Sequence, residues 1–238
     1  MSARILFLDV GGTLLNERRP RHELYAACAA AHGLAVDPER MRRLMSNAHR
    51  ALPLYVDGGY RYTDAWFRRF IEQIFCTELG LPEDQLAAVQ EQLFAVFEDP
   101  ATFELARGAD ELLALLARRD MRVGILSNWS ARLPVLLGRL GLAGRFDPVV
   151  CSALVGCEKP DPRIFELALR LAGVSADQAI HVGDREDNDG AAAQVGIHTI
   201  LVGSASNRAP RPPRSGSGER IVRLDDLEAL CAYIHALR

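Results

Sequence analysis

The segment 5–15, ILFLDVGGTLL, constrains the fold of this chain more than any other stretch. An apolar run favouring β-structure leads into Asp9 and is followed by Gly11, Gly12 and Thr13. A short apolar run that turn residues terminate is typical of a buried strand in a parallel sheet. Asp9 would then lie at the carboxyl end of that strand, where open α/β sheets form their ligand sites. Taken alone, the stretch could equally be an ordinary strand followed by a Gly-Gly turn, in which Asp9 has no functional role.

The remainder of the chain carries two different patterns. From residue 20 to 97 there are helical signals and no convincing strand, with helices predicted at 21–32, 38–50, 63–80 and 82–97. From Phe103 onward, predicted strands at 121–126, 148–151, 179–182 and 197–202 alternate with predicted helices at 108–119, 131–140, 162–172, 191–195 and 224–237. Strands that alternate with helices of about a dozen residues indicate a parallel, doubly wound sheet.

These patterns predict an α/β fold in which an all-helical domain interrupts a doubly wound, Rossmann-like core. The core is expected at 1–17 and 103–238, and the helical cap at 18–102. Within the core, residues 203–220 are rich in proline, serine, glycine and arginine and have no periodicity, which predicts a flexible loop.

Composition is that of a globular protein and excludes several functions. Hydrophobic residues make up 49% of the 238 residues and the net charge is −3, so no global field favours nucleic acid or a membrane. We expect neither a signal peptide nor a membrane helix, which needs roughly 18 apolar residues. Five cysteines without a CxxC pair are typical of reduced thiols and predict a cytoplasmic protein. The sequence carries no signal for oligomeric state.

Polar residues follow several of the predicted strands. In a parallel sheet the carboxyl ends of the strands meet at one crevice, so these side chains are expected to lie together. They comprise a carboxylate, a hydroxyl, a lysine and an acidic cluster: Asp9, Ser127 with Asn128, Lys159, and Asp184 with Asp187 and Asp189. Lys159 is the only lysine of a chain that otherwise uses arginine, which indicates a place where a compact point charge is needed.

In this order, the motifs resemble those of haloacid dehalogenase-like (HAD) superfamily hydrolases of subfamily I, which carry a C1 helical cap after the first strand. The family's DxDGT motif corresponds to residues 9–13, its strand-ending Ser or Thr to Ser127 in ILSN, and its lysine to Lys159 in EKPDP. The fourth motif, GDxxxD or GDxxxxD, corresponds to GDREDND at 183–189. The resemblance covers nearly the whole chain.

The resemblance implies a mechanism through an aspartyl-phosphate. Asp9 would be the nucleophile, and Lys159 would neutralise charge on Asp9 and on the phosphoryl oxygens. Ser127 would hydrogen-bond those oxygens. The implied phosphate site also includes Gly12, Thr13 and Asn128.

The resemblance also implies a Mg²⁺ site, because a phosphate beside a carboxylate needs a cation and Mg²⁺ prefers oxygen ligands. The implied ligands are Asp9, the backbone carbonyl of Gly11, Asp184 and a further acid. Asp189 fits the longer spacing of the fourth motif, while Asp187 could act through a water molecule. The implied partner is a small anionic, phosphorylated substrate.

Gly11 departs from the family pattern. The family's phosphatases have an aspartate at this position, which acts as general acid and base and contributes typically 10²–10⁴-fold in rate. Family phosphonatases use a lysine of the cap, which this cap lacks. Haloacid dehalogenases carry an aromatic residue at this position and lack the metal-binding fourth motif, so the resemblance disfavours both activities.

Three hypotheses remain: a slow phosphatase of substrates with good leaving groups, an enzyme that takes its acid or base from the cap or the substrate, and a non-catalytic protein. We expect a Mg²⁺-dependent hydrolase of a small phosphate monoester. The alternative is a non-catalytic relative that binds a phosphometabolite or a protein partner, and a 2-haloacid dehalogenase is less favoured than either.

Overall fold

The computed structural model describes residues 3–203 and 221–236. The predicted flexible loop at 203–220 lies, from residue 204 onward, outside the described residues. The chain divides into two compact units. Unit 1 comprises Met1–Asn16, Leu105–Trp129 and Leu142–Arg238, and unit 2 comprises Glu17–Glu104 and Ser130–Gly141.

The described strands, in chain order, are β1 (Ile5–Leu8), β2 (Leu15–Glu17), β3 (Tyr55–Val56), β4 (Gly59–Tyr60), β5 (Phe103–Leu105), β6 (Arg122–Ser127), β7 (Val149–Cys151), β8 (Ala179–Gly183), β9 (His198–Val202) and β10 (Ile221–Leu224). The described α-helices are α1 (Arg21–Ala31), α2 (Pro38–Ala51), α3 (Asp64–Glu72), α4 (Leu86–Glu98), α5 (Ala109–Arg118), α6 (Leu133–Arg139), α7 (Ser152–Val155), α8 (Pro162–Ala172) and α9 (Leu227–Ala236). A π-helical segment continues α3, and short 3₁₀ helices occupy Glu83–Gln85, Pro100–Thr102, Ala176–Gln178 and Asp189–Val195.

Unit 1 is built on one six-stranded sheet with the order β10-β9-β8-β1-β6-β7. All neighbouring pairs run parallel. β1 lies between β8 and β6, with Leu8 opposite Val182 and Ile125. Every residue of β1 is fully buried, as expected of a strand whose sheet is covered on both faces. The predicted fold class, a parallel α/β sheet with flanking helices, is confirmed.

Helices of unit 1 cover this sheet. α8 begins after Asp161, whose carboxylate accepts a hydrogen bond from the Arg163 N–H, and Pro162 occupies the first helical position. The apolar face of α8 packs in one core cluster with Ile5 and Phe7 of β1. α5 and α9 pack against each other.

The C-terminal part of the sheet differs from the prediction. The segment 197–202 was predicted as the last clear core strand, with a helix from 224, but β10 adds a further parallel strand beside β9 and α9 begins at Leu227. Asp226 accepts a hydrogen bond from the Ala229 N–H (2.8 Å) and so stabilises the first turn of α9. β10 is a four-residue edge strand that is partly exposed, and such a strand lacks the long apolar run of a central strand.

Unit 2 is helical and has its own core. The helical segments predicted between residues 20 and 97 correspond to α1, α2, α3 with its π-helical continuation, and α4. Their apolar faces meet in a cluster that includes Tyr25, Met41, Trp66 and Phe75. Trp66 is fully buried, and its indole N–H donates to the Pro53 carbonyl (2.9 Å).

Residues 52–62, between the predicted helices at 38–50 and 63–80, contain a hairpin. β3 and β4 pair antiparallel, and the turn residues Asp57 and Gly58 have φ values of 48° and 77°. Two positive φ values suit a two-residue hairpin turn. Strands of two residues are too short for a sequence period to reveal them.

α6 groups with unit 2, although it lies in the segment 103–238 that was predicted as core. Arg132, at the start of α6, explains this. Its guanidinium pairs with Asp64 (2.7 Å) and with Glu98, and lies 4.2 Å from the centre of the Phe94 ring. Asp64 is 68 positions away along the chain, so no local pattern predicts this contact. In the part of the chain that is described, no helix combines the length and apolar character needed to cross a bilayer.

Candidate active site

Three predicted site residues lie at the carboxyl ends of adjacent strands of unit 1. Asp9 follows β1, Ser127 ends β6 and Asp184 follows β8. Because β1 lies between β8 and β6, these ends meet at one edge of the sheet. Asp9 and Ser127 are buried, and the Asp9 N–H extends the sheet by donating to the Val182 carbonyl (2.8 Å).

Lys159 belongs to the loop between α7 and α8. Asn128, the residue after β6, fixes this loop. Its side-chain amide donates to the Lys159 carbonyl and accepts from the Lys159 N–H, each at 2.8 Å. Asn128 was predicted to bind phosphate, and its amide here positions the lysine backbone.

The Lys159 ammonium group lies between two carboxylates. Its Nζ is 3.0 Å from Oδ1 of Asp9 and 2.5 Å from Oδ1 of Asp189, and the side chain is 1% exposed. Burial alone would lower the pKa of Lys159, but the charges of Asp9 and Asp189 outweigh it and raise that pKa. Lys159 therefore supplies a constant positive charge to Asp9 at neutral pH.

Asp189 accepts hydrogen bonds from three donors. One of them is the side chain of His181, which was not among the predicted site residues. Its Oδ1 accepts from Lys159 and from Nε2 of His181 (2.8 Å), and its Oδ2 accepts from the Arg185 N–H (3.0 Å). Burial would raise the pKa of Asp189, but Lys159 and His181 hold it well below its usual range. His181 is fully buried in β8, as a core residue would be. His181 lies two residues before Gly183 and therefore on the same face of the strand. This position was the sequence signal that could have indicated its contact with Asp189.

Gly183 leaves the space that the Asp189 carboxyl group occupies, since a Cβ atom on Gly183 would overlap it. We therefore expect Gly183→Ala to lower the free energy of unfolding by at least the roughly 1–3 kcal/mol of an overpacked core site, because Asp189 must move away from Lys159 and His181. Urea denaturation measures this change. The matched control is Gly138→Ala, in α6 with open space around it, where alanine should stabilise the helix by about 0.5–1 kcal/mol. Equal effects at the two positions would contradict the close contact.

Asp9, Asp184 and Asp189 form a cluster in which one oxygen atom of each lies within 4.8 Å of the others. Oδ1 of Asp184 is buried and has no hydrogen-bond partner among the described residues. Burial, and then the charges of Asp9 and Asp189, raise the pKa of Asp184 to about 6. Three carboxylates thus lie close together with Lys159 as the cation that pairs with two of them.

This donor set fits a divalent cation such as Mg²⁺. Mg²⁺ prefers carboxylate oxygens, and a cation would satisfy the buried oxygen of Asp184, to which no described residue donates a hydrogen bond. Asp187, the alternative second acid, is 66% exposed and pairs with Arg185 (2.6 Å). The structure therefore brings Asp189, and not Asp187, next to Asp9 and Asp184.

The turn after β1 places Gly12 against Asp184. Gly12 has a φ of 77°, and a Cβ atom there would overlap the Asp184 carboxylate, so the position requires glycine. The Gly12 N–H, predicted to contribute to the phosphate site, donates to the Leu15 carbonyl (2.9 Å). Oγ1 of Thr13 is buried and, within the described ranges, has no partner, so this hydroxyl remains available to a ligand.

Comparisons with a family model and with individual known proteins point to the same family. The sequence model of the haloacid dehalogenase-like hydrolase family matches residues 3–196. The chain is 38% identical over 208 residues to haloacid dehalogenase-like hydrolase domain-containing protein 3 of Homo sapiens, which covers 85% of this chain and 82% of that protein. It is 33% identical over 155 residues to phosphoserine phosphatase of Thermus thermophilus, which covers 62% of this chain and 60% of that protein.

Among solved structures, the crystal structure of a 2-haloacid dehalogenase from Pseudomonas syringae aligns with 99% of this chain and 100% of its own. The TM-score is 0.70 and the sequence identity is 22%. At this identity the likeness establishes the fold and leaves the chemistry to the residues of the site.

Proposed function

The chain belongs to the haloacid dehalogenase-like hydrolase family, and on that basis we propose that it hydrolyses small phosphate monoesters in a Mg²⁺-dependent reaction with Asp9 as the nucleophile. One observation carries the proposal. The Asp9 carboxylate lies 3.0 Å from the Lys159 ammonium, within the acidic cluster that includes Asp184 and Asp189. A relative named as a phosphoserine phosphatase supports a small phosphorylated substrate for this chain as well.

In the proposed reaction, a carboxylate oxygen of Asp9 attacks phosphorus as the bond between phosphorus and the ester oxygen breaks, which releases the alcohol portion and forms an aspartyl-phosphate that water then hydrolyses. Lys159 holds the nucleophile in place and offsets negative charge as the phosphate approaches. Thr13 and Ser127 offer hydroxyl donors to the phosphoryl oxygens. Donors that are fixed before the substrate arrives usually make the largest single contribution to such catalysis.

Asp9, Asp184 and Asp189, with the Gly11 carbonyl, are the proposed Mg²⁺ ligands. The bound ion supplies charge neutralisation and Lewis acidity at the phosphoryl oxygens. Without a cation, the three carboxylates would repel a phosphate dianion. The five cysteines are free thiols, which suits the reducing cytoplasm that we propose as the location.

The test is turnover of 4-nitrophenyl phosphate by wild type and Asp9→Asn, each with Mg²⁺ and with EDTA. We expect turnover by wild type with Mg²⁺ and none by Asp9→Asn, because an amide cannot act as the nucleophile. The matched control is Asp120→Asn, which lies before β6, at the opposite end of that strand from Ser127. Asp120 is exposed and has a φ of 53°, which asparagine tolerates, so this variant should keep the wild-type rate.

Equal turnover by wild type and Asp9→Asn would refute the proposal. The non-catalytic alternative, which the missing acid at Gly11 favours, predicts binding of orthovanadate without turnover. A haloacid dehalogenase would instead release chloride from 2-chloropropionate in EDTA. The acidic cluster opposes that activity, because a haloacid carboxylate would approach Asp184 and Asp189 with Lys159 as the only described cation paired with the cluster.

A further inference from the structure

The backbone conformation at position 11 does not require a glycine. The neighbouring Gly12 has a φ of 77°, in the left-handed region, whereas Gly11 does not have a positive φ. Gly11 instead forms a β-bridge with Leu15, a conformation open to any L-residue. The absence of a side chain at position 11 therefore has another cause.

The indole of Trp129 lies where a side chain at position 11 would point. A Cβ atom on Gly11 would be 3.0 Å from Cζ3, 3.7 Å from Cε3 and 4.0 Å from Cη2 of Trp129. These are the three heavy atoms nearest to that point, and all belong to the six-membered ring. Two carbon atoms pack best at about 3.5–4.0 Å, so the ring would have to shift by a few tenths of an ångström to admit even a methyl group at position 11.

Hydrogen bonds fix the main chain of Trp129. Its N–H donates to Oγ of Ser152 (3.1 Å), and its carbonyl accepts from Oγ of Ser152 (3.3 Å) and from Sγ of Cys151 (3.0 Å). Ser152 and Cys151 are both fully buried. The preceding residue, Asn128, holds the backbone of Lys159 through two hydrogen bonds. The indole is thus carried by the same fixed segment that positions the lysine of the site.

We propose that Trp129 determines the leaving-group specificity of this site, with Gly11 as its steric partner. The ring occupies the place, two residues from the nucleophile Asp9, from which an acidic side chain would protonate the departing oxygen. The inference rests on the proposed phosphate hydrolysis and narrows its substrates to one class. These are aryl, enol and acyl phosphates, whose leaving group departs as a stabilised anion.

The bond changes show why this class is favoured. An oxygen of Asp9 forms a bond to phosphorus as the bond between phosphorus and the ester oxygen breaks, and the electron pair of the broken bond leaves with that oxygen. A phenolate, enolate or carboxylate is stable with this pair, so it can leave without receiving a proton from the enzyme. An alkoxide is not stable with this electron pair, so alkyl phosphates react slowly. Water then attacks phosphorus and loses a proton to the solvent, the electron pair of the bond to Asp9 returns to its carboxylate, and inorganic phosphate leaves.

The kinetic test compares 4-nitrophenyl phosphate with glycerol 3-phosphate, both with Mg²⁺. The enzymes are wild type, Gly11→Asp, Trp129→Ala and the double variant. We expect the double variant to raise kcat/KM for glycerol 3-phosphate by about 10²-fold or more, the usual contribution of a general acid, and each single variant to gain far less. An equal gain in Gly11→Asp alone, or no gain in the double variant, would overturn the proposal. So would a wild type that hydrolyses both esters equally well.

Thermal unfolding in EDTA tests the same pair without turnover. Gly11→Ala adds only the methyl group that would meet the ring, so it should lower Tm by roughly 2–12 °C when Trp129 is present and by much less in Trp129→Ala. Equal shifts in the two backgrounds would overturn the packing on which the proposal depends. The proposed function would be refuted by a different result, namely an Asp9→Asn variant as active as wild type. The thermal comparison does not depend on that result.

Discussion

Replacing Lys159 with methionine is expected to lower the free energy of unfolding by about 3–5 kcal/mol, the usual cost of removing one partner from a buried ion pair. Lys159 is 2% exposed and lies 3.0 Å from Asp9 and 2.5 Å from Asp189. Methionine retains most of the apolar stem but leaves the carboxylates of Asp9, Asp184 and Asp189 close together without this cation. The Lys159→Met variant should also lose hydrolysis of 4-nitrophenyl phosphate, because no ammonium group then holds Asp9 in place or offsets its charge.

Urea denaturation in EDTA at neutral pH measures the loss of stability. The matched control is Arg107→Met, which removes the cation of the Arg107–Glu228 pair, whose side chains are 78% and 46% exposed. A surface pair of this kind contributes little, so the control should lose far less. Added Mg²⁺ should restore part of the stability of Lys159→Met, because the carboxylates regain a cation. Equal losses in the two variants would mean that Lys159 does not offset the acidic cluster.

The strand-end residues could be predicted because one physical rule governs them. Asp9, Ser127 and Asp184 each end or follow a short apolar run, and parallel strands present such positions at one edge of a sheet. The order of the strands did not follow from the sequence. Ile5 pairs with both Arg122 and Ala179, and no local pattern encodes pairings over such separations.

The partners of individual side chains were harder to predict, because a local pattern does not state which atom a donor reaches. His181 is fully buried in β8, as a core residue would be, but its Nε2 also lies 2.8 Å from Asp189. The amide of Asn128 holds the backbone of Lys159, 31 positions away. The ring that crowds position 11 comes from Trp129, which nothing in the sequence around Gly11 suggests.

The pH dependence of stability isolates the contribution of Asp184. Its pKa is raised from 3.8 to about 6 by burial and by the nearby carboxylates. Between these values the folded protein keeps a proton that the unfolded chain has released, so the stability of the cation-free protein falls as the pH rises through this interval. Asp184→Asn should remove that slope and should raise Tm in EDTA at neutral pH. A pH profile of Tm for the two proteins checks both results.

The same substitution should abolish stabilisation by Mg²⁺. At a Mg²⁺ concentration of 100 times Kd, binding adds about 2.7 kcal/mol to stability, which is roughly 5–11 °C in Tm for a protein of this size. Asp184→Asn removes the negative charge of the carboxylate whose Oδ1 is buried without a partner among the described residues, so its Tm should not respond. Asp187→Asn is the matched control, since Asp187 is exposed and paired with Arg185, and it should keep the full response. A response that survives Asp184→Asn, or one that Asp187→Asn removes, would place the cation away from the cluster of Asp9, Asp184 and Asp189 and would leave the raised pKa of Asp184 without a functional reason.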